Sequence, residues 1–341
     1  MTSAPPPADL LAWSLSVLDV DSPAELEPVA GDASARRYFR LRLPGQSFIA
    51  VEAPPDSQKN TEFLAIQHLL AAAAITVPAV FGADLSRGFL LLGDLGDRTL
   101  LPELSASSVD EQYRQAFDVL LAMGEVDPGD PQWPRYDDAL FSEELSRFPE
   151  WFVEQLLGLP LPAASLWQPF AEFLKRSALM QPTVLVHRDF HSRNLMPQPD
   201  GSLAVIDFQD AVIGPVTYDL VSLLRDCYIR WQPQQVEVWA LSYLQRLQQR
   251  GGLEEVTADE FLRWFDLMGL QRHIKVLGTF ARLYLRDKKP AYLTDLPLVI
   301  AYVREILAKY RDEVAQLAEF EGWFEGELMP AVRRQYWGAD L

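Results

Sequence analysis

Asp189, Asn194 and Asp207 stand close together in the chain, with the asparagine five positions after the first aspartate and the second aspartate thirteen beyond that. They lie in His187-Arg188-Asp189-Phe190-His191-Ser192-Arg193-Asn194 and in Val205-Ile206-Asp207-Phe208. Phosphoryl transfer from a nucleotide to a hydroxyl needs such a set. One carboxylate orients and deprotonates the acceptor, and an amide oxygen and a second carboxylate hold the magnesium that bridges the phosphates. The plain alternative is a polar hairpin whose Asp and Asn residues cap turns. The full spacing favours the chemistry.

The elements that must position these groups are readable from pattern. Thr183-Val-Leu-Val-His187 is a β-rich run, Pro197-Gln-Pro-Asp-Gly201 is turn chemistry, and Leu203-Ala-Val-Ile206 is a second apolar run. These predict two paired strands with the catalytic loop between them and Asp207 at the end of the second. Upstream, residues 8–20 read as a helix. Residues 36–53 read as a hairpin turning at Pro44-Gly45. Asn60 is placed to cap a helix with an apolar face at Phe63, Ile66, Leu69 and Leu70. Pro78–Phe81 and Gly88–Leu92 read as strands. From about residue 105 the pattern is helical, over Val109–Gly124, Phe141–Leu157, Pro169–Leu179, Tyr218–Trp231 and Val236–Arg250. Thr257-Ala-Asp-Glu260 is a capping box, and helices continue to about Ala318. The expected fold class is α+β in two lobes. Residues 1–95 form a small β-rich lobe that binds nucleotide phosphates, and 96–341 form a larger helical lobe with the catalytic loop, metal and acceptor site.

At 341 residues the chain can bury two such cores. A net charge of −18 argues against nucleic acid or an anionic membrane as partner. The single cysteine, Cys227, excludes an intrachain disulfide and suits a reducing cytoplasm. No signal peptide is apparent and no apolar run approaches the roughly 20 residues of a membrane span. The segment from Glu319 to Glu327 is acidic and reads equally as a solvated end or a packed helix.

Gly31-Asp-Ala-Ser34 can aim backbone N–H groups at phosphate, with Gly31 allowing close approach and Ser34 adding a donor. Arg36, Arg37 and Arg40 follow, two on one strand face and one on the other. Gly93-Asp94-Leu95-Gly96 follows a strand and offers backbone to an adenine edge.

In this order, with Glu62 on its helix and Tyr218-Asp-Leu after the motif, these strings resemble the aminoglycoside phosphotransferase (choline-kinase-like) superfamily over about residues 25–310. Longer strings are closer to one branch, the bacterial anomeric kinases of cell-wall recycling. They include Asp32-Ala-Ser-Ala-Arg-Arg-Tyr-Phe-Arg40, Gly214-Pro-Val-Thr-Tyr-Asp219 and Arg272-His-Ile-Lys-Val-Leu-Gly278. The resemblance implies a protein-kinase-like fold, ATP and Mg2+, and a sugar acceptor (N-acetylmuramate or N-acetylglucosamine) phosphorylated at its anomeric hydroxyl. It implies Asp189 as base, Asn194 and Asp207 as metal ligands, and Asp219 as a buried brace of the catalytic loop.

One departure is clear. The strand Phe48-Ile-Ala-Val-Glu-Ala53 lacks the usual kinase lysine, and Lys59, Arg36, Arg37 and Arg40 are the candidates to supply that charge. Gln209 in place of the DFG glycine argues against a protein kinase. For the acceptor, Arg272, His273 and Lys275 form a basic cluster suited to a muramate carboxylate, or else a solvated or ion-paired helix face. His191, Gln209 and Asp210 are candidates for sugar hydroxyls by adjacency. A kinase for aminoglycosides or other small alcohols, and a nucleotide-binding module without catalysis, are the competing readings.

Overall fold

The structure, a computed structural model, describes residues 5–29, 36–129 and 133–341. It contains two compact units, Met1–Pro128 with Arg193–Ala211, and Gly129–Ser192 with Val212–Leu341.

The first unit begins with α1 (Leu10–Leu18) and β1 (Leu26–Val29). Then come β2 (Arg37–Leu43), β3 (Gln46–Glu52), α2 (Asn60–Ala72), β4 (Val80–Asp84), β5 (Phe89–Gly93) and α3 (Val109–Gly124). The strands form one antiparallel sheet in the order β1-β2-β3-β5-β4. The β2–β3 hairpin turns at Pro44-Gly45 as the sequence predicts, with Gly45 at φ +80°. Strand alternation puts Phe39, Leu41 and Leu43 on one face, where they pack with Phe48, Ala50, Phe89, Leu91 and Leu10 of α1. Burying each such large side chain contributes about 1.5–3 kcal/mol. The alternate positions of β2, Tyr38 and Arg40, point to the other face.

In the second unit, α4 (Asp138–Arg147) passes into a π-helical stretch, Phe148–Leu156, then α5 (Ala164–Leu179) and β6 (Thr183–Val186). The sequence predicts one continuous helix over Phe141–Leu157. Pro149 has no N–H to give the turn before it, which accounts for the altered register. The chain returns to the first unit for β7 (Leu195–Pro197) and β8 (Leu203–Val205), then to the second for β9 (Val212–Pro215) and α6 (Tyr218–Leu224). After these come α7 (Pro233–Gln249), α8 (Ala258–Leu285), α9 (Leu296–Tyr310), α10 (Ala315–Trp323) and α11 (Met329–Arg333).

Helix α8 is the axis of this unit. The Thr257 hydroxyl accepts from the Glu260 N–H at 3.2 Å, the expected cap. From Phe265 to Gly278 every residue is buried. A Cβ at Gly278 would lie 2.3 Å from the Arg147 carbonyl carbon, so two backbones meet there and a larger residue is excluded. A helix buried all round places its polar residues in the interior, where each needs a partner.

Four expectations are corrected. The run Leu203–Ile206 does not pair with Thr183–His187. The short strand β7, made by the catalytic motif itself, takes β8 through the Pro197–Gly201 turn, and β6 pairs with β9. Asn60 does not cap α2. Lys59 is the capping position, and the Asn60 amide is engaged by the Ala53 carbonyl (2.8 Å) and Arg36 (3.4 Å). α6 ends at Leu224 rather than Trp231, because Asp226 is turned inward to accept from Ser192 and Tyr228. Helices continue beyond Ala318, and the acidic segment is packed by Phe320, Phe324 and Leu328, all fully buried.

Candidate active site

The first half of the motif belongs to the helical unit. Leaving β6, the N–H groups of His187 and Arg188 donate to the two carboxylate oxygens of Asp219 at 2.5 and 3.0 Å. Asp219 is in the first turn of α6, where a carboxylate also meets the positive end of the helix dipole. Burial pushes it up to about 6, so at neutral pH it remains mostly ionised and accepts both bonds. Arg188 has φ +77°, uncommon for a side-chain-bearing residue. That bend sends its guanidinium to Glu144 (2.6 Å) and over the Tyr136 ring (5.5 Å).

Asp189 follows. Its N–H donates to His187 Nδ1 (3.2 Å), and its carbonyl accepts from the His191 N–H (3.0 Å). The loop ends as it began: the N–H of Ser192 (3.0 Å) and its hydroxyl both donate to Asp226. Two buried carboxylates at either end of α6 thus brace a loop too short to fold on its own contacts. Burial works against ionisation of Asp189, but Lys275, His191, Arg188 and His187 outweigh it and hold the carboxyl at about 2. The candidate base is therefore charged at any working pH.

Beneath the loop lies a buried network that sequence reasoning missed. Glu144, wholly inaccessible, accepts from Arg188 and the Tyr136 hydroxyl and lies 3.6 Å from Lys275 Nζ. Lys275 donates to the Tyr218 hydroxyl (2.7 Å), and since the one Tyr136 proton goes to Glu144, Tyr218 donates in turn to the Tyr136 oxygen (3.0 Å). Arg272 is buried and donates to Cys227 Sγ (3.4 Å). Arg272 and Lys275 are thus interior groups that both act on Asp189, not a solvated helix face. His273 points elsewhere. Its ring stacks on Tyr302 at 4.7 Å and bonds the Arg225 carbonyl (3.0 Å), and burial keeps it neutral. The His191 ring meets Tyr228 edge-on at 5.3 Å, and burial lowers its proton affinity.

The second half of the motif belongs to the sheet unit. The Asn194 carbonyl accepts from the Ile206 N–H (3.1 Å), closing the β7–β8 hairpin. Asn194 is buried, whereas Asp207 is exposed, at φ +65°. A strained backbone that presents a carboxylate outward is the kind of outlier found at functional positions. Magnesium takes one or two protein oxygens and completes its shell with phosphate and water, so this donor pair fits it. Gln209 donates to Asp207 (2.8 Å), and Asp210 pairs with Lys59 (2.6 Å).

The three arginines separate. Arg36 lies over the Phe63 ring (5.0 Å) and bonds the Lys59 carbonyl (3.2 Å). Phe63 in turn stacks on Phe208, next to Asp207. The Tyr38 hydroxyl feels both Arg36 and Asp207. Arg37, on the opposite face, pairs with Glu52 across β3. Arg40 forks onto Asp94 (2.6 Å) and Asp97 (2.9 Å). Asp94 also accepts from the Gly96 N–H (3.0 Å), which sets the Gly93–Gly96 turn, and the Leu95 carbonyl accepts from Gln198. Lys59 is thus paired with the carboxylate three residues after Asp207, Arg36 shares the Tyr38 hydroxyl with Asp207, and Arg40 is committed to the turn. Glu62 is exposed and forms no ion pair with a described residue. Gly31 and Ser34 lie outside the described residues.

The chain belongs to the phosphotransferase enzyme family, whose model matches residues 25–257. It is similar to N-acetylmuramate/N-acetylglucosamine kinases of three bacteria. Identity is 46% with that of Pseudomonas putida, covering 86% of each chain. It is 42% with that of Pseudomonas aeruginosa, covering 87% of this chain and 88% of the relative. It is 40% with that of Neisseria meningitidis, covering 84% and 87%. Among solved structures the fold matches Plasmodium vivax ethanolamine kinase (TM-score 0.61, 12% identity, 85% and 84% covered). It also matches a choline kinase of Streptococcus pneumoniae (TM-score 0.60, 15% identity, 87% and 98% covered). No helix among the described residues is long and apolar enough to cross a membrane.

Proposed function

We propose that the protein is an ATP-dependent sugar kinase that phosphorylates the anomeric hydroxyl of N-acetylmuramate and N-acetylglucosamine in peptidoglycan recycling, giving the 1-phosphates in the cytoplasm. The observation that carries this is the common name of three relatives, each at least 40% identical over more than four-fifths of both chains. In this reading residues 1–95 bind the nucleotide phosphates and 96–341 carry the catalytic loop and acceptor.

Asp189 accepts a hydrogen bond from the anomeric hydroxyl. As the sugar oxygen bonds to the γ-phosphorus and the bond to the β-phosphate oxygen breaks, Asp189 takes the hydroxyl proton and ADP leaves. An anomeric hydroxyl is more acidic than an ordinary alcohol, so a carboxylate of low proton affinity suffices. The loose transition state places little bonding demand on the protein, which contributes position and charge. Arg36 and Lys59 face the phosphates, and the Gly93–Gly96 turn receives the base. Asn194 and Asp207 would hold magnesium, which when bound neutralises phosphate charge. Asp219 keeps the loop in place through His187 and Arg188.

The test is ADP release with ATP and magnesium against N-acetylmuramate, N-acetylglucosamine, their methyl glycosides, glucose, kanamycin and choline. Turnover of the two amino sugars, lost when the anomeric oxygen is methylated and lost in Asp189→Asn, is expected. Turnover of kanamycin or choline alone would replace this reading with a small-alcohol kinase.

A further inference from the structure

The deep arginines of the helical unit are not treated alike. Arg225 is paired with Asp266 at 2.5 Å, and Arg188 with Glu144 at 2.6 Å. Arg272 is only 3% exposed, yet it forms no ion pair with a described residue. Its hydrogen bond goes to the Cys227 thiol at 3.4 Å, and its Nε is buried without a partner. A guanidinium taken out of water needs a compensating anion, and leaving it without one is strongly unfavourable. A thiol is a poor substitute.

The surroundings say what would complete it. Its partner Cys227 directly follows Asp226, which accepts from the Ser192 N–H at the end of the catalytic loop, and the Asp189 carboxylate is among the charges that act on it, so Arg272 stands beside the loop that carries the candidate base. The imidazole of His191, two residues after Asp189, is also within its field, and its Nδ1 is a second buried atom without a partner. Lys275 is not equivalent, since its ammonium is already taken by Tyr218 and Glu144. The region therefore holds one committed cation and one uncommitted, planar one, with a neutral hydrogen-bonding ring beside it.

Given the acceptor reading above, we propose that Arg272, assisted by His191, reads a carboxylate on the sugar and is the residue that distinguishes an acidic from a neutral amino-sugar acceptor. Such a group would be carried by an ether-linked acid on the ring, as in N-acetylmuramate, and N-acetylglucosamine lacks it. A guanidinium–carboxylate fork supplies direction as well as charge.

Measuring kcat/KM for N-acetylmuramate, its carboxyl methyl ester and N-acetylglucosamine, with wild type, Arg272→Met and Arg272→Lys, tests this. Wild type is expected to prefer the acid over its ester by about 100-fold, the scale of truncating one partner of a desolvated charged pair. In Arg272→Met the acid-to-ester and acid-to-neutral-sugar ratios both collapse toward unity. In Arg272→Lys they fall to an intermediate value. Equal turnover of acid and ester by wild type overturns the proposal even if the methionine variant fails to fold. Retention of the wild-type ratios in a folded Arg272→Met, or an equal loss on all three acceptors, overturns it as well. Failure of wild type to turn over either sugar would instead overturn the functional reading beneath it.

Discussion

In the helical unit, Asp189 stands among Lys275, Arg188, His191 and His187, and the loop that carries it is tied to Asp219 and Asp226. In the sheet unit, Asp207 faces outward on a strained backbone, and the amide of Gln209 bonds it. The first carboxylate is fixed by buried charges before any ligand arrives. The second is set by its backbone and one amide hydrogen bond, and is exposed. In the proposed reaction the difference follows from the task. A base must keep one position and one protonation state, so neighbouring charges and backbone hydrogen bonds hold it. A metal ligand shares its ion with phosphate and water, and needs open coordination instead.

Changing the two carboxylates alike should break this comparison or strengthen it. Asp189→Asn removes the proton acceptor while keeping the shape, and kcat should fall about 10²–10⁴-fold. More magnesium should recover none of that loss. Asp207→Asn should lose roughly 10²–10³-fold at low magnesium, on the scale of one electrostatic contact to the transferring group, and regain part as magnesium or manganese is raised. Metal titrations of both variants decide. Recovery of Asp189→Asn by metal, or indifference of Asp207→Asn to it, would mean the roles are misassigned. Next in size is a stability effect. Glu144→Gln leaves Arg188 and Lys275 without their buried anion and should cost about 3–5 kcal/mol in urea unfolding. A loss under about 1 kcal/mol, the scale of an exposed pair, would show that the network is not tightly built.

The same contrast governs what could be read from the sequence. Asp189, Asn194 and Asp207 are near neighbours along the chain, and their spacing alone makes them candidates. The β2–β3 turn at Pro44-Gly45 and the Thr257 cap were readable in the same way, since they depend on residues within a few positions. Glu144 and Asp226 could not be picked out from 48 acidic residues, because what distinguishes them is burial against partners that include Ser192, 34 positions from Asp226, and Lys275, 131 positions from Glu144. The pairing of β6 was misread for a similar reason. Two apolar runs flanking a loop look like a hairpin, and only the assembled chain shows that the motif supplies its own strand to β8. The separation of Arg36 from Arg40 was half visible. Strand alternation put both on one face, but the Asp94–Asp97 pair that claims Arg40 arrives from more than 50 residues away.

Lys275→Met sharpens the comparison at its finest point, the charge on the base. Lys275 is the largest stabilising influence on the Asp189 carboxylate, ahead of His191, Arg188 and His187, while Asp219 nearby is itself an anion. Removing a cation favours the protonated form, so the Asp189 carboxyl must rise from about 2. A rise of roughly 1–3 units is the usual effect of one nearby charge. The acid limb of the kcat/KM profile should therefore move to higher pH. At pH 7 and above the base is still ionised, and activity there should fall by less than tenfold. A lysine that served only as packing would give another result, with turnover reduced by the same factor at every pH and the limb unmoved. Lys275→Arg, which keeps the charge, should restore the wild-type limb even if the larger head group lowers turnover. If the arginine variant instead tracks methionine, Lys275 acts through its fit to Tyr218 and Glu144, and the low proton affinity of the base comes from the other neighbours, His191, Arg188, His187 and Arg272.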